Sequence, residues 1–374
     1  MVQMEGQLDG SGWSMVERIG TQFVVDGSPF YVNGFNTYWL MVYAVDPSTR
    51  PTVISLFQEA ASAGLTVGRT WAFNDGGWRA LQTSPGVYDE QVFKALDFVI
   101  REAEKNKIRL ILSLVNNWDD YGGKAQYVRW GRNAGLKLHS DCAFFWDPTI
   151  RSYFKAHIKA WIEEMALYVK SIDPNHLVGI GTEGFYGPCS PAKLQFNPYN
   201  CAHQEGTDYI RNHQAAGIDF ASIHIYPSAW ISESFCPSHL SFAKKWAMTH
   251  IEDSENILKM PVLFTEFGVP ERDVKYRESF MQIVYNSVLG SAEKGGAGAG
   301  SLIWQLFPNC TQAKRMSDGF EIVLAHSPSI TKIICEQSNK LNCINNRGMC
   351  LIQFDGVEES LAVGDAEAKA VSFK

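Results

Sequence analysis

A (β/α)8 barrel is the fold that the sequence predicts, on three observations. Short apolar runs alternate with amphipathic helical stretches along most of the 374 residues, and this alternation is typical of parallel pairing, because each helix returns the chain to the same end of the sheet. Polar and aromatic side chains crowd the C-terminal ends of the runs, where a barrel builds its active site. No Pro- or Ser-rich linker divides residues 1–340. An open doubly wound sheet is the alternative, and the crowded strand ends favour the barrel.

Seven runs rich in Val, Ile, Phe and Tyr predict the strands. They are Phe30–Trp39, Thr66–Phe73, Arg109–Asn116, Leu177–Thr182, Phe220–Tyr226, Val262–Phe267 and Gly300–Phe307. The polar and aromatic residues at their ends are Asn36, Arg69, Trp71, Asn116, Asn117, Trp118, Glu183, His224, Tyr226, Glu266 and Trp304.

Helical periodicity is clearest in three stretches, which begin at Val92, Ile150 and Ser279. The stretch from Ile150 reads as one continuous helix. The glycine-rich run Gly295–Gly300 resembles a phosphate loop, but it follows a helix and opens a strand, the reverse of the dinucleotide-binding order. It is therefore interpreted as a tight turn from helix to strand.

Closure of such a barrel takes eight strands, one more than the sequence provides. The interval from Asn116 to Leu177 is the longest between two successive strands, and its helical pattern is a single run. We therefore expect a barrel that lacks about one βα unit. The predicted domains are an incomplete barrel over residues 13–345 and an unstructured tail over residues 346–374.

Composition excludes several classes of function. With 33 basic and 40 acidic residues the formal charge is −7 and the pI is near 5.8, which does not suit a nucleic-acid-binding protein. No apolar run is long enough to span a membrane, and no signal peptide is visible at the N-terminus. The sequence contains no G-x-S-x-G, H-E-x-x-H or P-loop motif.

Eight cysteines are too few for a disulfide-dense scaffold, and none forms a C-x-x-C pair. Buried thiols are the simpler interpretation. A disulfide between Cys189 and Cys201 is the alternative, because the two bracket a loop rich in Pro and Asn.

Residue types and spacing predict a catalytic carboxylate. Side chains two apart on a strand share a face, so Arg69 with Trp71, and His224 with Tyr226, can both point to the barrel mouth. Glu266 ends an apolar strand, where a buried charge needs polar or cationic neighbours. These neighbours would keep it ionised and usable as a nucleophile. The alternative, an ion pair with Arg69 for stability alone, is a poor route to stability.

Five tryptophans predict a carbohydrate ligand, because flat rings with a polar edge suit pyranose rings. Each one alone is better explained as part of the core or wall, but the five together are hard to explain as core alone. They are Trp71, Trp118, Trp146, Trp230 and Trp304.

Several segments resemble the plant endo-β-1,4-mannanases of glycoside hydrolase family 5. They are FVVDGSPFYVNGFNTYWLM from Phe23, VGRTWAFNDGGW from Val67, LILSLVNNWDDYGGKAQYVRW from Leu110, EGFYG from Glu183, IHIYPSAW from Ile223, VLFTEFG from Val262 and SLIWQLF from Ser301. The resemblance runs from about Trp13 to the 340s. It implies a (β/α)8 barrel, retaining hydrolysis of internal β-1,4 bonds in mannan, glucomannan or galactomannan, no cofactor and a secreted protein.

The resemblance also assigns roles. Glu266 matches the nucleophile, Trp71, Tyr226 and Trp304 match substrate-lining residues, and Arg69 and His224 match the polar residues that hold the nucleophile and the sugar. The general acid/base of the family follows an Asn at the end of strand four, in an Asn-Glu-Pro sequence that this chain lacks. Relative to the family, two helices are fused at Lys159–Ala160, which removes on the order of 30–45 residues.

Two alternatives for function follow. The first is a mannan endo-1,4-β-mannosidase by descent, whose activity is impaired because the acid/base is absent. The second is a catalytically inactive glycan-binding protein or the product of a pseudogene. Under both alternatives we expect β-mannan as the partner. We expect no nucleic-acid or membrane partner, and a monomeric protein. Glu183, Asp119 and Asp120 are carboxylates near the predicted strand ends, and none is an evident replacement for the acid.

Overall fold

The computed structural model describes residues 13–115, 118–157, 162–199, 202, 207–231, 237–271, 273–309 and 316–346. The strands are β1 Glu17–Ile19, β2 Gln22–Val25, β3 Ser28–Pro29, β4 Val32–Asn36, β5 Val67–Trp71, β6 Gln82–Ser84, β7 Val87–Tyr88, β8 Arg109–Ser113, β9 Ala221–Ile225, β10 Val262–Phe267, β11 Gly298–Ile303, β12 Leu306–Phe307 and β13 Ile322–Val323. The helices are α1 Leu40–Ala44, α2 Arg50–Ser62, α3 Glu90–Lys105, α4 Gly123–Asn133, α5 Ala143–Trp146, α6 Pro148–His157, α7 Ile162–Ile172, α8 Tyr209–His213, α9 Pro227–Trp230, α10 Pro237–Asp253, α11 Val274–Ala292 and α12 Pro328–Asn345.

Six of these strands form one parallel sheet in the order β8–β5–β4–β11–β10–β9. A single parallel bridge from Gly179 to Phe220 extends the sheet beyond β9. The seven predicted strand regions therefore lie side by side in the circular order of a (β/α)8 barrel, and this fold is confirmed.

The sheet is open between β8 and the segment that contains Gly179. Between these two, the described residues contain the helices α4, α5, α6 and α7 and no strand. Every residue of β8 is partly exposed, whereas β4, β9 and β11 are buried throughout. Leu114 and Val115, which continue β8, are 43% and 39% exposed. The open edge of β8 lies where the sequence predicts that a βα unit is missing.

Some boundaries differ from the expectations. The described parts of the helical run from Ile150 are α6 and α7, and residues 158–161 between them, with the predicted junction at Lys159–Ala160, lie outside the described residues. The helix predicted from Ser279 begins at Val274, because the Asp273 side chain accepts a hydrogen bond from the Tyr276 main-chain N–H and caps it.

The strand ends also differ. The segment predicted as a strand over Leu177–Thr182 forms only the bridge at Gly179. The glycine-rich run is a turn, as expected, but the strand after it already begins at Gly298. The predicted tail, residues 346–374, lies outside the described residues apart from Asn346.

The N-terminal end of the barrel is closed by the antiparallel sheet β1–β2–β3. Phe23 of β2 packs there with Val32, Val67, Leu263 and other apolar residues of the barrel strands. With this end filled by side chains, access to the barrel is left to its C-terminal end. Among the described helices none is both long and apolar enough to cross a membrane.

The predictions for the cysteines were wrong where the structure tests them. Cys189 is a free thiol, so it forms no disulfide with Cys201. Cys142 and Cys189 are exposed and Cys335 is only partly buried, so none of the three is a buried core residue. Cys343, on α12, forms a disulfide instead.

Candidate active site

Glu266 lies at the C-terminal end of β10, with 13% of its side chain exposed. Its Oε1 is 2.5 Å from Nη1 of Arg69, and its Oε2 accepts a hydrogen bond of 2.8 Å from the Tyr226 hydroxyl. Nε2 of His224 is 3.6 Å from Oε1. The structure thus brings three of the predicted site residues together around the carboxylate of a fourth, Glu266.

Arg69 is fixed by a neighbour on the adjacent strand. Asn36 ends β4, and its Oδ1 accepts a hydrogen bond of 2.9 Å from Arg69 Nη1. The Asn36 amide in turn donates to the carbonyls of Thr265 and Ile303. Three strands therefore hold the guanidinium in place beside Glu266.

His224, on β9, lies between two carboxylates. Nδ1 is 3.2 Å from Oε2 of Glu183, and Nε2 faces Glu266. The main-chain N–H of His224 also donates to the carbonyl of Glu183. Both ring nitrogens thus face negative charge, an arrangement that favours an imidazolium.

The charges at this site shift three pKa values. Burial alone would raise the pKa of Glu266, but the positive charges of His224 and Arg69 and the hydrogen bonds from Tyr226 and Arg69 outweigh it and lower this pKa. Burial alone would lower the pKa of His224, and the two carboxylates raise it. Burial and the charge of Glu266 raise the pKa of the Tyr226 hydroxyl well above its usual value. Glu266 is therefore an anion at neutral pH and Tyr226 a hydrogen-bond donor.

Aromatic rings line one side of the site. Tyr38, which follows β4, stacks on Trp304 with 5.8 Å between centroids and a 7° interplanar angle. It contacts Trp71 at 4.8 Å and Tyr121 at 5.9 Å on its other sides. The predicted substrate-lining residues Trp71 and Trp304 thus belong to one cluster that Tyr38 joins. Sequence reasoning missed Tyr38, although it lies two residues after Asn36 at a strand end.

The other side of the site contains Tyr226 and its neighbours. The Tyr226 ring contacts Trp230 and Phe320 edge to face, at 6.1 and 5.7 Å. Trp230 in turn packs on Phe185 and Trp246, so it belongs to the wall behind the site.

Several other candidates are not brought into this cluster. Trp118 and Trp146 are 65% and 60% exposed, and Trp146 ends helix α5 rather than a strand. Asp119 and Asp120 are exposed on the loop after β8, although the charge of Asp120 acts on Tyr38 and Tyr121 of the aromatic cluster. Asn116 and Asn117 lie outside the described residues.

Known proteins resemble this chain in sequence. A family described as "GH family 5 beta-mannosidase-like" matches residues 13–153 and 147–317. The chain belongs to this glycoside hydrolase family. Among family members, a putative mannan endo-1,4-β-mannosidase 5 of Oryza sativa subsp. japonica is 50% identical, over 91% of this chain and 79% of the relative. The mannan endo-1,4-β-mannosidase 5 of Arabidopsis thaliana is 44% identical, over 89% and 87%.

Solved structures are also similar to this chain in fold. The endo-β-1,4-mannanase of Thermotoga petrophila superposes with a TM-score of 0.69 at 25% identity, covering 85% of this chain and 77% of that one. An endo-1,4-β-mannanase of Rhizomucor miehei gives the same score and identity, covering 88% and 99%.

The comparison also shows a difference in length. The alignment with mannan endo-1,4-β-mannosidase 8 of rice has 374 positions and takes in all of that protein, but only 88% of the 374 residues here, about 330. About 44 positions of the rice protein's alignment therefore have no residue of the present chain opposite them. The two matches to the family meet at residues 147–153, within the interval where the sheet is open.

Proposed function

We propose that this chain is a β-1,4-mannan-binding protein descended from mannan endo-1,4-β-mannosidases, with hydrolytic turnover that is impaired or lost. The observation that carries the proposal is that the same barrel holds an ionised Glu266 and has an open sheet edge at β8. Arg69, Tyr226 and His224 contact the carboxylate, while β8 has a single neighbouring strand among the described residues.

The mannan ligand is supported by the aromatic cluster and the relatives. Trp304, Tyr38 and Trp71 form a continuous ring surface beside the carboxylate, and such surfaces stack on pyranose rings. The rice and Arabidopsis relatives are named as mannan endo-1,4-β-mannosidases. We therefore expect a mannan segment to lie along this surface with one glycosidic bond at Glu266.

Retaining hydrolysis needs two carboxyl groups about 5–5.5 Å apart. An oxygen of Glu266 would attack the anomeric carbon, and the bond to the leaving sugar oxygen would break as a general acid protonates that oxygen. Among the described residues, Glu183 is the other carboxylate that contacts His224, and its Oε2 faces the imidazole. A missing acid costs about 10²–10⁴-fold in rate, and a sugar hydroxyl is a poor leaving group.

Calorimetric titration tests the binding part of the proposal. The wild-type chain should bind β-1,4-mannohexaose, and W304A should bind about tenfold more weakly because a stacking surface is lost. W146A is the matched control, since Trp146 is 60% exposed on α5, and it should bind like the wild type. A folded wild-type chain that shows no heat of binding with mannohexaose would refute the proposed ligand.

A further inference from the structure

One buried arginine, Arg277, connects the two loops behind the Trp304 side of the site. It lies in the first turn of α11 and is 4% exposed. Its Nε and Nη2 donate to the carbonyl of Val269, at 3.2 and 3.0 Å. Nη2 also donates to the carbonyl of Phe320 at 3.0 Å, and Nη1 to that of Glu321 at 3.1 Å. The side chain thus ties the loop after β10 to the loop before β13.

The partners of Arg277 are unusual for a buried charge. They are main-chain carbonyls, and no described carboxylate forms an ion pair with the guanidinium. A buried cation whose hydrogen bonds all go to carbonyls, with the carboxylates of Glu271, Glu321 and Asp318 acting on it only through space, is a poor source of stability compared with an apolar side chain. The fork of N–H groups does, however, fix several acceptors in one geometry, which a lysine cannot do.

The loop that Arg277 holds reaches both aromatic sides of the site. Asp318 accepts a hydrogen bond of 2.6 Å from the Trp304 indole through Oδ2 and one of 3.0 Å from the Phe320 main-chain N–H through Oδ1. The Phe320 ring stands edge to face against Tyr226 at 5.7 Å. A shift of this loop would therefore move the Trp304 ring and the hydroxyl donor to the nucleophile together.

The fit between the two loops is close at Gly268. A Cβ at this position would lie 2.6 Å from the carbonyl oxygen of Trp304 and 3.2 Å from the ring of Phe320. Only glycine lets the loop after β10 approach Trp304 this closely. The loops are thus packed against one another as well as hydrogen-bonded to Arg277.

We infer that Arg277 is a positioning residue of the glycan site, which sets the orientation of Trp304 through Asp318 and of Tyr226 through Phe320. The inference rests on the proposed function, because it assigns to Arg277 a role in binding the same glycan. Arg277 itself does not contact the ligand in this account. Its effect on binding should therefore depend on Trp304.

A double-mutant cycle tests this dependence. R277K should weaken mannohexaose binding about tenfold, since a displacement near 1 Å can cost up to about 100-fold. The loss of affinity that R277K causes should be much smaller when W304A is also present. It should be undiminished when W71A is present instead. R18K is the matched control, because Arg18 also donates to main-chain carbonyls, those of Gly20 and Lys259, at the opposite end of the barrel. It should leave affinity unchanged.

A second measurement needs no ligand. The fluorescence of Trp304, obtained as the difference between the chain and its W304F variant, should shift to the red and quench more readily with acrylamide in the R277K background. Unchanged affinity in R277K, or a loss that is simply additive with W304A, would overturn the role of Arg277 even if the melting temperature falls. If the wild-type chain does not bind mannohexaose, the proposed function fails, and an unchanged difference spectrum would then overturn the positioning role separately.

Discussion

Arg69 Nη1 lies 2.5 Å from Oε1 of Glu266, although the two residues are 197 positions apart in the chain. The contact joins the ends of β5 and β10, which are separated in the sheet by β4 and β11. Curvature of the sheet brings the two side chains together over the barrel mouth. The resulting ion pair makes Glu266 a permanent anion at neutral pH, which is the state that a nucleophile requires.

An activated substrate should reveal this nucleophile. We expect 2,4-dinitrophenyl 2-deoxy-2-fluoro-β-mannoside to label the chain once, because Glu266 can displace dinitrophenolate, which leaves with its electron pair and needs no proton. Mass spectrometry of the intact chain and of its peptides measures the adduct. E266Q should stay unlabelled. An adduct on any residue other than Glu266 would contradict the assignment of the nucleophile.

Removal of the arginine should slow this labelling. R69M leaves the carboxylate without its closest positive charge, so its pKa should rise and labelling should slow by about 100-fold. The measurement is the rate of adduct formation at pH 7. R79M is the control, since Arg79 pairs with the partly exposed Asp46. Equal rates in R69M and the wild type would show that the ion pair does not activate Glu266.

The charge of His224 should make stability depend on pH. Its folded-state pKa is raised above 6.5, so its protonation contributes stability that is fully present below 6.5 and is lost as pH rises through the folded value. The pKa of Glu266 is lowered from 4.5. The stability that its ionisation contributes is therefore lost only as pH falls below 4.5 through the folded value. The difference in melting temperature between wild type and H224Q should therefore narrow by about 2 °C or more between pH 5.5 and pH 8.5.

Calorimetric scans at the two pH values measure that difference. H176Q serves as the control, because His176 is exposed and pairs with Asp173 away from Glu266. A difference in melting temperature between wild type and H224Q that stays constant or increases toward pH 8.5 would contradict an imidazolium at His224.

The open edge of β8 should promote association. Its main-chain groups have a partner strand on one side only among the described residues, and the adjoining Leu114 and Val115 are exposed. Unpaired edges invite edge-to-edge pairing, and a lysine blocks it. L114K should therefore raise the temperature at which light scattering begins, with an unchanged melting temperature. L167K, at an exposed position on α7, is the control and should have little effect.

Much of the fold could be predicted from the sequence, because strand periodicity and polar strand ends reflect local constraints. The seven strand regions and the gap after Asn116 follow from such patterns. That Cys189 is a free thiol could not be predicted, because loop spacing does not give the distance between two thiols. The reduction of the predicted strand Leu177–Thr182 to a single bridge at Gly179 could not be predicted either, since strand pairing depends on neighbours elsewhere in the sheet.

Some residues of the site could also be predicted from the sequence, and others could not. Arg69, Tyr226 and Glu266 could be identified because each ends a strand, and parallel strand ends converge. Arg277 could not, because it lies inside a helix and acts on main-chain carbonyls that carry no sequence signal. The roles assigned to Trp71 and Trp304 remain predictions, although the structure places both beside Tyr38.

Incubation of the purified chain with β-1,4-mannohexaose tests the central claim most directly. Products are separated by chromatography and identified by mass, beside E266A and a mannan endo-1,4-β-mannosidase relative of full length. We expect mannohexaose to bind and to be recovered intact, or to be cleaved at least about 100-fold more slowly than by the relative. Cleavage at the rate of the relative, abolished in E266A, would contradict it.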